Sequence, residues 1–373
     1  MSRIYNFFPG PAALPQEALA AAHDEFFDFE GTGLSLLEMS HRTEAYERVH
    51  REATDMVREL LDVPSDYKIL WLQGGASLQF SMLPMNVLKN GQSADYVLTD
   101  YWSERALTEA QTVARAHIAG SSKQDGYRYI PTDLYVDPCA RYLHITHNAT
   151  IFGTQYHELP KTYGVPIVAD MSSDIMWRKI DVRRYGMIYA GAHKNLGPSG
   201  ATLVIVNEEF LRGAPKNLPS MLRYDVHIEN ESMYNTPPTF TIAFIGHVLR
   251  WIKAQGGLDI IEARNREKAR KVYDFIDSSD GFYVNDVARE DRSMMNVVFN
   301  MATPELEARF VAEAKMHGFI GLANRGERGG CRISIYNAVG LDAVDSLLNF
   351  MADFMVQMHI PQRPFDHTTL AAM

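Results

Sequence analysis

The sequence predicts an α/β fold, with a large domain built on a mostly parallel sheet flanked by helices and a smaller α+β domain at the C-terminal end. Three observations carry this reading. Short apolar runs alternate with helix-length segments between residues 67 and 206, the pattern of strand–helix–strand units. A glycine pair, Gly256-Gly257, follows a strong helical segment and marks a boundary. The 373 residues are ample for one large core and a second, smaller one.

Taken in order, residues 1–13 are expected to be extended, because Pro9 and Pro11 restrict their neighbours. Pro15 to Glu30 reads as a helix from the spacing of Leu19, Ala22, Phe26 and Phe29, stopped by Gly31 and Gly33. Glu44 to Leu61 is a second helix. YKILWL (67–72) is strand-like, followed by Gln73-Gly74-Gly75-Ala76-Ser77 and a helix from Leu78 to Leu88, which Pro84 should kink or end. ADYVLT (94–99) is a strand, Tyr101 to Ala116 a helix, YLHIT (142–146) a strand, and Val165 to Ala169 a buried strand ending in Asp170. The Met187–Tyr189 and Ala201–Val206 runs enclose Ala190 to Gly200. Residues 207–231 look irregular and 239–255 helical. Beyond the glycine pair come a helix at 258–277, strands near 282–285 and 294–299, a helix at 304–317, a strand at 332–336 and a helix at 341–358. The division expected is 14–255 and 256–360, the second joined by residues 1–13, with a loose tail at 361–373.

Composition narrows the function. Thirty-six basic against 46 acidic residues leave a formal charge of −10, so no basic field attracts nucleic acid or an anionic membrane. The apolar runs are too short to cross a bilayer, and the proline-bearing N-terminus lacks the apolar core of a signal peptide. Cys139 and Cys331 are the two cysteines, without metal-ligand spacing, and a reducing cytoplasm is expected.

The chemistry-bearing stretch is YGMIYAGAHKNLGPSGATLVIV (185–206), in which Lys194 is enclosed by apolar runs and tight turns. It is either a loop lysine pointing to water or a Schiff-base lysine, whose amine must be partly desolvated to attack a carbonyl. Asp170, just past an apolar strand, lies at the sheet edge where ligands of such folds collect, or caps a loop. The Gly74-to-Ser77 turn after a strand aims backbone N–H groups at a phosphate, or is a plain connection. No GxGxxG pattern or Walker lysine is present. Trp102 serves core packing or stacks on a ring. Together Lys194, Asp170, Trp102 and the glycine turn supply what pyridoxal phosphate chemistry requires: an amine for the aldehyde, an anion for the pyridine nitrogen, a ring-stacking face and phosphate donors.

The runs NFFPGPAALP, SLLEMSHR, QGGASLQFSMLPMN, DYVLTDYWS, VADMSSDI, YAGAHKNLGPSG, SMYNTPPTF and GGCRISIYNAVG span residues 6 to 340. On them the chain resembles the phosphoserine aminotransferases, class V enzymes of fold-type I. The resemblance implies a pyridoxal phosphate-dependent homodimer that interconverts O-phospho-L-serine and 2-oxoglutarate with 3-phosphohydroxypyruvate and L-glutamate. A phosphorylated threonine analogue of vitamin B6 synthesis is a second substrate in some of the family. It implies Lys194 as the Schiff-base residue, Asp170 at the pyridine nitrogen, Trp102 on the ring, Thr150 at the phenolic oxygen, and Ala76, Ser77 and His193 at the phosphate. Asn235 and Thr236 would reach the neighbouring subunit's cofactor. Arg332 would clamp the α-carboxylate and His41 and Arg42 the distal anion.

Three departures from that pattern stand out. His193 replaces a common glutamine, and its charge is expected to vary near neutral pH. Ser77 stands where some relatives carry arginine. A His-Arg pair aligns with Arg325-Gly326, so Arg325 or Arg328 is the candidate replacement cation, beside Glu327. The alternatives are another class V activity (an alanine–glyoxylate-type aminotransferase or a cysteine desulfurase) and a catalytically silent binding protein. A desulfurase needs an accessible cysteine, and Cys331 should face away from a cofactor that its neighbour Arg332 faces.

Overall fold

The computed structural model describes residues 3–324, 326 and 328–359. The expectations for Arg325, Glu327 and the 361–373 tail lie outside the described residues. In chain order the elements are β1 (Tyr5–Asn6), α1 (Gln16–Asp24), α2 (Glu44–Leu60), β2 (Tyr67–Leu72), α3 (Gly75–Val87), β3 (Ser93–Leu98), α4 (Tyr101–Val113), β4 (Arg115–Ser121), β5 (Leu143–Thr146), β6 (Ile167–Asp170), β7 (Tyr185–Gly191), β8 (Thr202–Asn207), α5 (Tyr224–Glu229), α6 (Thr239–Ala254), α7 (Leu258–Asp277), β9 (Asn296–Phe299), α8 (Pro304–Met316), β10 (Phe319–Ile320), β11 (Cys331–Ser334) and α9 (Leu341–His359).

One seven-stranded sheet, ordered β2-β8-β7-β6-β5-β3-β4, organises the first part. The β3–β4, β3–β5, β5–β6 and β6–β7 pairings are parallel, and β8 runs antiparallel to both of its neighbours. The continuous apolar runs are explained by burial on both faces. On one face Trp71, Ile145, Ala169, Ile188 and Leu203 pack against Met56 and Val57 of α2 and Ile242, Ile245 and Val248 of α6. On the other, Leu70, Leu72, Tyr96, Val168, Tyr189 and Val204 meet Phe80 and Leu83 of α3 and Leu107 of α4. Fully burying one such side chain contributes about 1.5–3 kcal/mol. A second core joins Phe7 to α7, α8, α9, β9 and β11, and β1 pairs with β10, tying the N-terminal segment to it.

Several boundaries differ from expectation, each for a local reason. The first helix stops at Asp24, because the Phe29 N–H turns back to the Leu34 carbonyl and Phe29 buries beside Leu36 and Tyr46. The helix after the glycine turn starts earlier, at Gly75, and continues through Pro84, with Phe80, Met82 and Leu83 buried around the proline. Their burial outweighs the lost N–H donor. The helix at 101 ends at Val113, and Arg115–Ser121 is the edge strand β4, whose exposed Ile118 left no apolar alternation to read. Helix α5 interrupts the segment expected to be irregular. Near 282–285 only an isolated bridge, Val284 to Asn300, forms.

Candidate active site

The parallel strands β5, β6 and β7 are in register at their C-terminal ends, Thr146 opposite Asp170 and Asp170 opposite Tyr189. The loops leaving these ends therefore converge, as parallel sheets require. They deliver Thr150, Asp170 with Ser172 and Ser173, and Lys194. The Lys194 Nζ donates to Thr150 Oγ1 at 2.8 Å and to Ser173 Oγ at 2.7 Å. The two hydroxyls lie 2.5 Å apart. Burial pushes the Lys194 amine down to about 8, against the pull of Asp170 and Asp100. This is the desolvated amine that nucleophilic addition to a carbonyl needs.

Asp170 is buried at the end of β6, and its Oδ1 accepts the Ser172 N–H at 2.9 Å. Ser172 Oγ in turn accepts the Gly191 N–H at 3.0 Å, so one serine ties the carboxylate to the end of β7. Burial raises the Asp170 pKa, while the Ser172 hydrogen bonds and Lys194 oppose the rise. Trp102, half-buried, stands in the first turn of α4. A capping box fixes that turn, with Asp100 Oδ1 accepting the Ser103 N–H at 2.8 Å. Such a cap contributes roughly 1 kcal/mol.

The N-terminus of α3 has no side-chain cap. Gly74 has φ +88°, and a Cβ there would come within 2.5 Å of the Leu78 Cβ, so only glycine makes this turn. Ser77 is exposed. The first-turn N–H groups of α3, with Ala76 and Ser77, thus form a donor set suited to phosphate. With Lys194, Asp170 and Trp102, the residues present fit pyridoxal phosphate.

Arg332 reaches the same place from the second core. It is buried on β11, and its Nη1 donates to the Thr150 carbonyl at 3.1 Å. Its Nε has no partner among the described residues. Cys331 points the other way, fully buried among Phe299, Phe310 and Ile333, and burial raises its thiol pKa. Cys139 is exposed.

His193 differs from expectation. Its ring lies between two glycines, so that a Cβ at Gly10 would meet Cδ2 at 2.9 Å and one at Gly191 would meet Cε1 at 2.9 Å. Burial, reinforced by Lys194, pushes the imidazole down to about 4, so it stays neutral at neutral pH rather than varying there. Its unfolded value is about 6.5. The unfolded chain therefore binds the extra proton first, and stability is lost as pH falls from about 6.5 toward 4. In His193→Gln that part of the acid sensitivity disappears, which urea midpoints at pH 5 and pH 8 check against the wild type.

Other predicted residues lie apart. His41, Arg42, Asn235 and Thr236 line one cavity of about 460 Å³ with Glu47, Met233 and Tyr234, and none of Lys194, Asp170 or Thr150 lines it. Asn235 Nδ2 donates to Gln73 Oε1 at 3.1 Å, just before the glycine turn. Arg325 is outside the described residues. Arg328 is not a free replacement cation, because its buried side chain pairs with Asp286, which also holds Arg128 at 2.9 Å.

Sequence reading missed the supports. His147 Nδ1 pairs with Asp174 Oδ2 at 2.5 Å, and Gln155 Nε2 donates to the same oxygen at 2.9 Å. Those contacts brace the loops bearing Thr150 and Ser173. Tyr336 packs beside Ser173 and Arg332, and its hydroxyl donates to the Pro9 carbonyl at 2.9 Å. These pairings cross between loops and leave no local signal in the sequence.

Residues 4–347 match the class-V aminotransferase family. A phosphoserine aminotransferase of Bacillus subtilis (strain 168) is 49% identical over 355 residues, 95% of this chain and 99% of its own length. The solved phosphoserine aminotransferase of Bacillus circulans subsp. alkalophilus superposes with a TM-score of 0.93 at 48% identity, covering 95% of this chain and 99% of that one. A PLP-bound phosphoserine aminotransferase of Trichomonas vaginalis does so with 0.89 at 35% identity, covering 94% and 100%. The chain belongs to the class-V aminotransferases and, within them, to the phosphoserine aminotransferase family.

Proposed function

We propose that this protein reversibly transfers the amino group of O-phospho-L-serine to 2-oxoglutarate with pyridoxal phosphate, giving 3-phosphohydroxypyruvate and L-glutamate. The observation that carries the reading is the buried amine of Lys194, depressed to about 8 and held by two hydroxyls beside the carboxylate of Asp170. The cofactor, when bound, supplies an aldehyde to receive the amino group and a pyridine ring to draw electrons from the substrate Cα. Lys194 would hold that aldehyde, and its free amine would carry the proton at the substrate Cα. Thr150 and Ser173 keep its Nζ in place. Asp170 would keep the ring nitrogen protonated, Trp102 would cover one ring face, and the uncapped start of α3 with Ala76, Ser77 and His193 would hold the phosphate.

Arg332 binds the α-carboxylate, for which its planar fork is suited. His41 and Arg42 bind the distal anion, phosphate in one half-reaction and carboxylate in the other. These two residues line one cavity with Asn235 and Thr236 that Lys194 does not line, which supports a homodimer in which this cavity completes the partner's site. The large domain spans 14–255 and the small one 256–360, with the 1–13 segment joined to it. A phosphorylated threonine analogue offers the same two anions and is a second substrate in this reading. Among the described residues no helix is long and apolar enough to cross a membrane. Cys331, buried in the second core, is not the accessible cysteine that a desulfurase needs.

The reaction is tested by incubating the holoenzyme with L-glutamate and 3-phosphohydroxypyruvate. Phosphoserine and 2-oxoglutarate should form in equal amounts; failure to form them ends the assignment. Site sharing is tested by mixing inactive Lys194→Ala with inactive Arg42→Ala. Subunit exchange places both lesions in one site of each hybrid and leaves the other intact, so roughly a quarter of wild-type activity should return. No recovery after proven exchange would place both residues in one subunit's site.

A further inference from the structure

Lys268 lies inside the protein with no carboxylate partner among the described residues, and burial pushes its amine down to about 7. On α7 the buried positions Ile261, Asn265, Lys268, Ala269 and Val272 form one face, and the lysine falls on it. Its Nζ donates to the carbonyls of Ile335 at 2.9 Å, Tyr336 at 2.8 Å and Val339 at 2.9 Å. An ammonium has three donors, and all three are matched, which is the condition for burying it. No apolar side chain could hold three carbonyls in this way.

The turn held by Lys268 follows β11 directly and leads back to the active site. Asn265, one helical turn before Lys268, donates through Nδ2 to Asn337 Oδ1 at 2.7 Å. Asn337 then donates its N–H to Asn195 Oδ1 at 3.0 Å and its Nδ2 to the Met176 carbonyl at 2.8 Å. Asn195 is the residue after Lys194, and Met176, with φ +62°, lies in the loop that leaves Asp170. Tyr336, whose own carbonyl Lys268 grips, accepts at its hydroxyl from Asn296 Nδ2 at 3.1 Å. One polar chain thus runs from α7 through residues 335–339 to both loops of the reaction centre.

We propose that Lys268 is a positioning residue for the amino transfer, fixing through the 335–339 turn both Asn195 beside Lys194 and the C-terminal end of β11, the strand that carries Arg332. The proposal rests on the roles given to Lys194 and Arg332 above. It predicts that loosening the turn moves the α-carboxylate site and the lysine amine together. Misplacement of reacting groups by a fraction of an ångström is enough to matter, since about 1 Å costs roughly 10²-fold.

The experiment uses holoenzyme of the wild type, Lys268→Met and Asn265→Ala. The second variant removes one neutral hydrogen bond and keeps the test open should Lys268→Met not fold. Expected are a KM for both phosphoserine and glutamate raised about tenfold in Lys268→Met and about threefold in Asn265→Ala. The pH midpoint of the cofactor's visible band should also move, by about half a unit or more. Variants that melt earlier but keep the wild-type KM and band midpoint would overturn the proposal, leaving Lys268 a purely structural lysine. A wild type that forms no lysine-linked band would overturn the site reading together with it, so the two failures are told apart.

Discussion

Lys194→Ala should lower turnover by roughly three orders of magnitude or more, since in the proposed function it removes both the attachment point and the proton carrier, and the latter alone is worth about 10²–10⁴-fold. Borohydride should fix a chromophore to the wild type and none to the variant. The fold should survive, because among the described residues Lys194 Nζ hydrogen-bonds only the hydroxyls of Thr150 and Ser173, which also bond each other at 2.5 Å. Burial holds the wild-type amine near 8, and removing that buried amine relieves a desolvation cost. A variant with near-normal turnover would remove the chemistry from this lysine altogether.

Arg332→Lys should be almost as damaging as Arg332→Ala, although it keeps the charge. The guanidinium is buried with one nitrogen on the Thr150 carbonyl and its Nε without a partner among the described residues. A lysine cannot present the flat two-pronged face that a carboxylate takes. Loss of one charged hydrogen bond costs about 1.5–3 kcal/mol, or about 10–150-fold in kcat/KM. The loss should fall mainly on KM and equally on phosphoserine and glutamate, which share the α-carboxylate. His41 or Arg42 substitutions should act unequally on the two, because the distal anions differ.

Much of this was readable from the chain because local and tertiary demands agree. YKILWL forms β2 with the expected ends, and the helix expected at 258–277 is α7. Lys194, Asp170 and Thr150 follow strand ends of a parallel sheet, and register alone brings such ends together. Reading failed where burial was decided by distant partners. The edge strand β4 exposes apolar Ile118 and so carries no alternation. His193 reads from the sequence as titratable near neutrality, but two glycines pack on its ring and burial keeps it neutral there. Lys268 sits in the charged run EARNREKARK, which reads as a solvated face, yet its spacing from Ile261 and Val272 already placed it on the apolar side. The pairings of Arg328 with Asp286 and of His147 with Asp174 cross long stretches of chain and leave no local trace.

In the proposed reaction one site with a buried reactive lysine accepts amino acids bearing a second, distal anion. Single-turnover spectra of the holoenzyme with O-phospho-L-serine, L-serine, L-alanine and L-cysteine test it most directly. Phosphoserine should discharge the yellow band completely and fastest, with the unphosphorylated amino acids slower by about 10²-fold or more, as loss of an anion matched to buried donors requires. Equal conversion by all four would contradict the account, and so would a holoenzyme with no yellow band to convert.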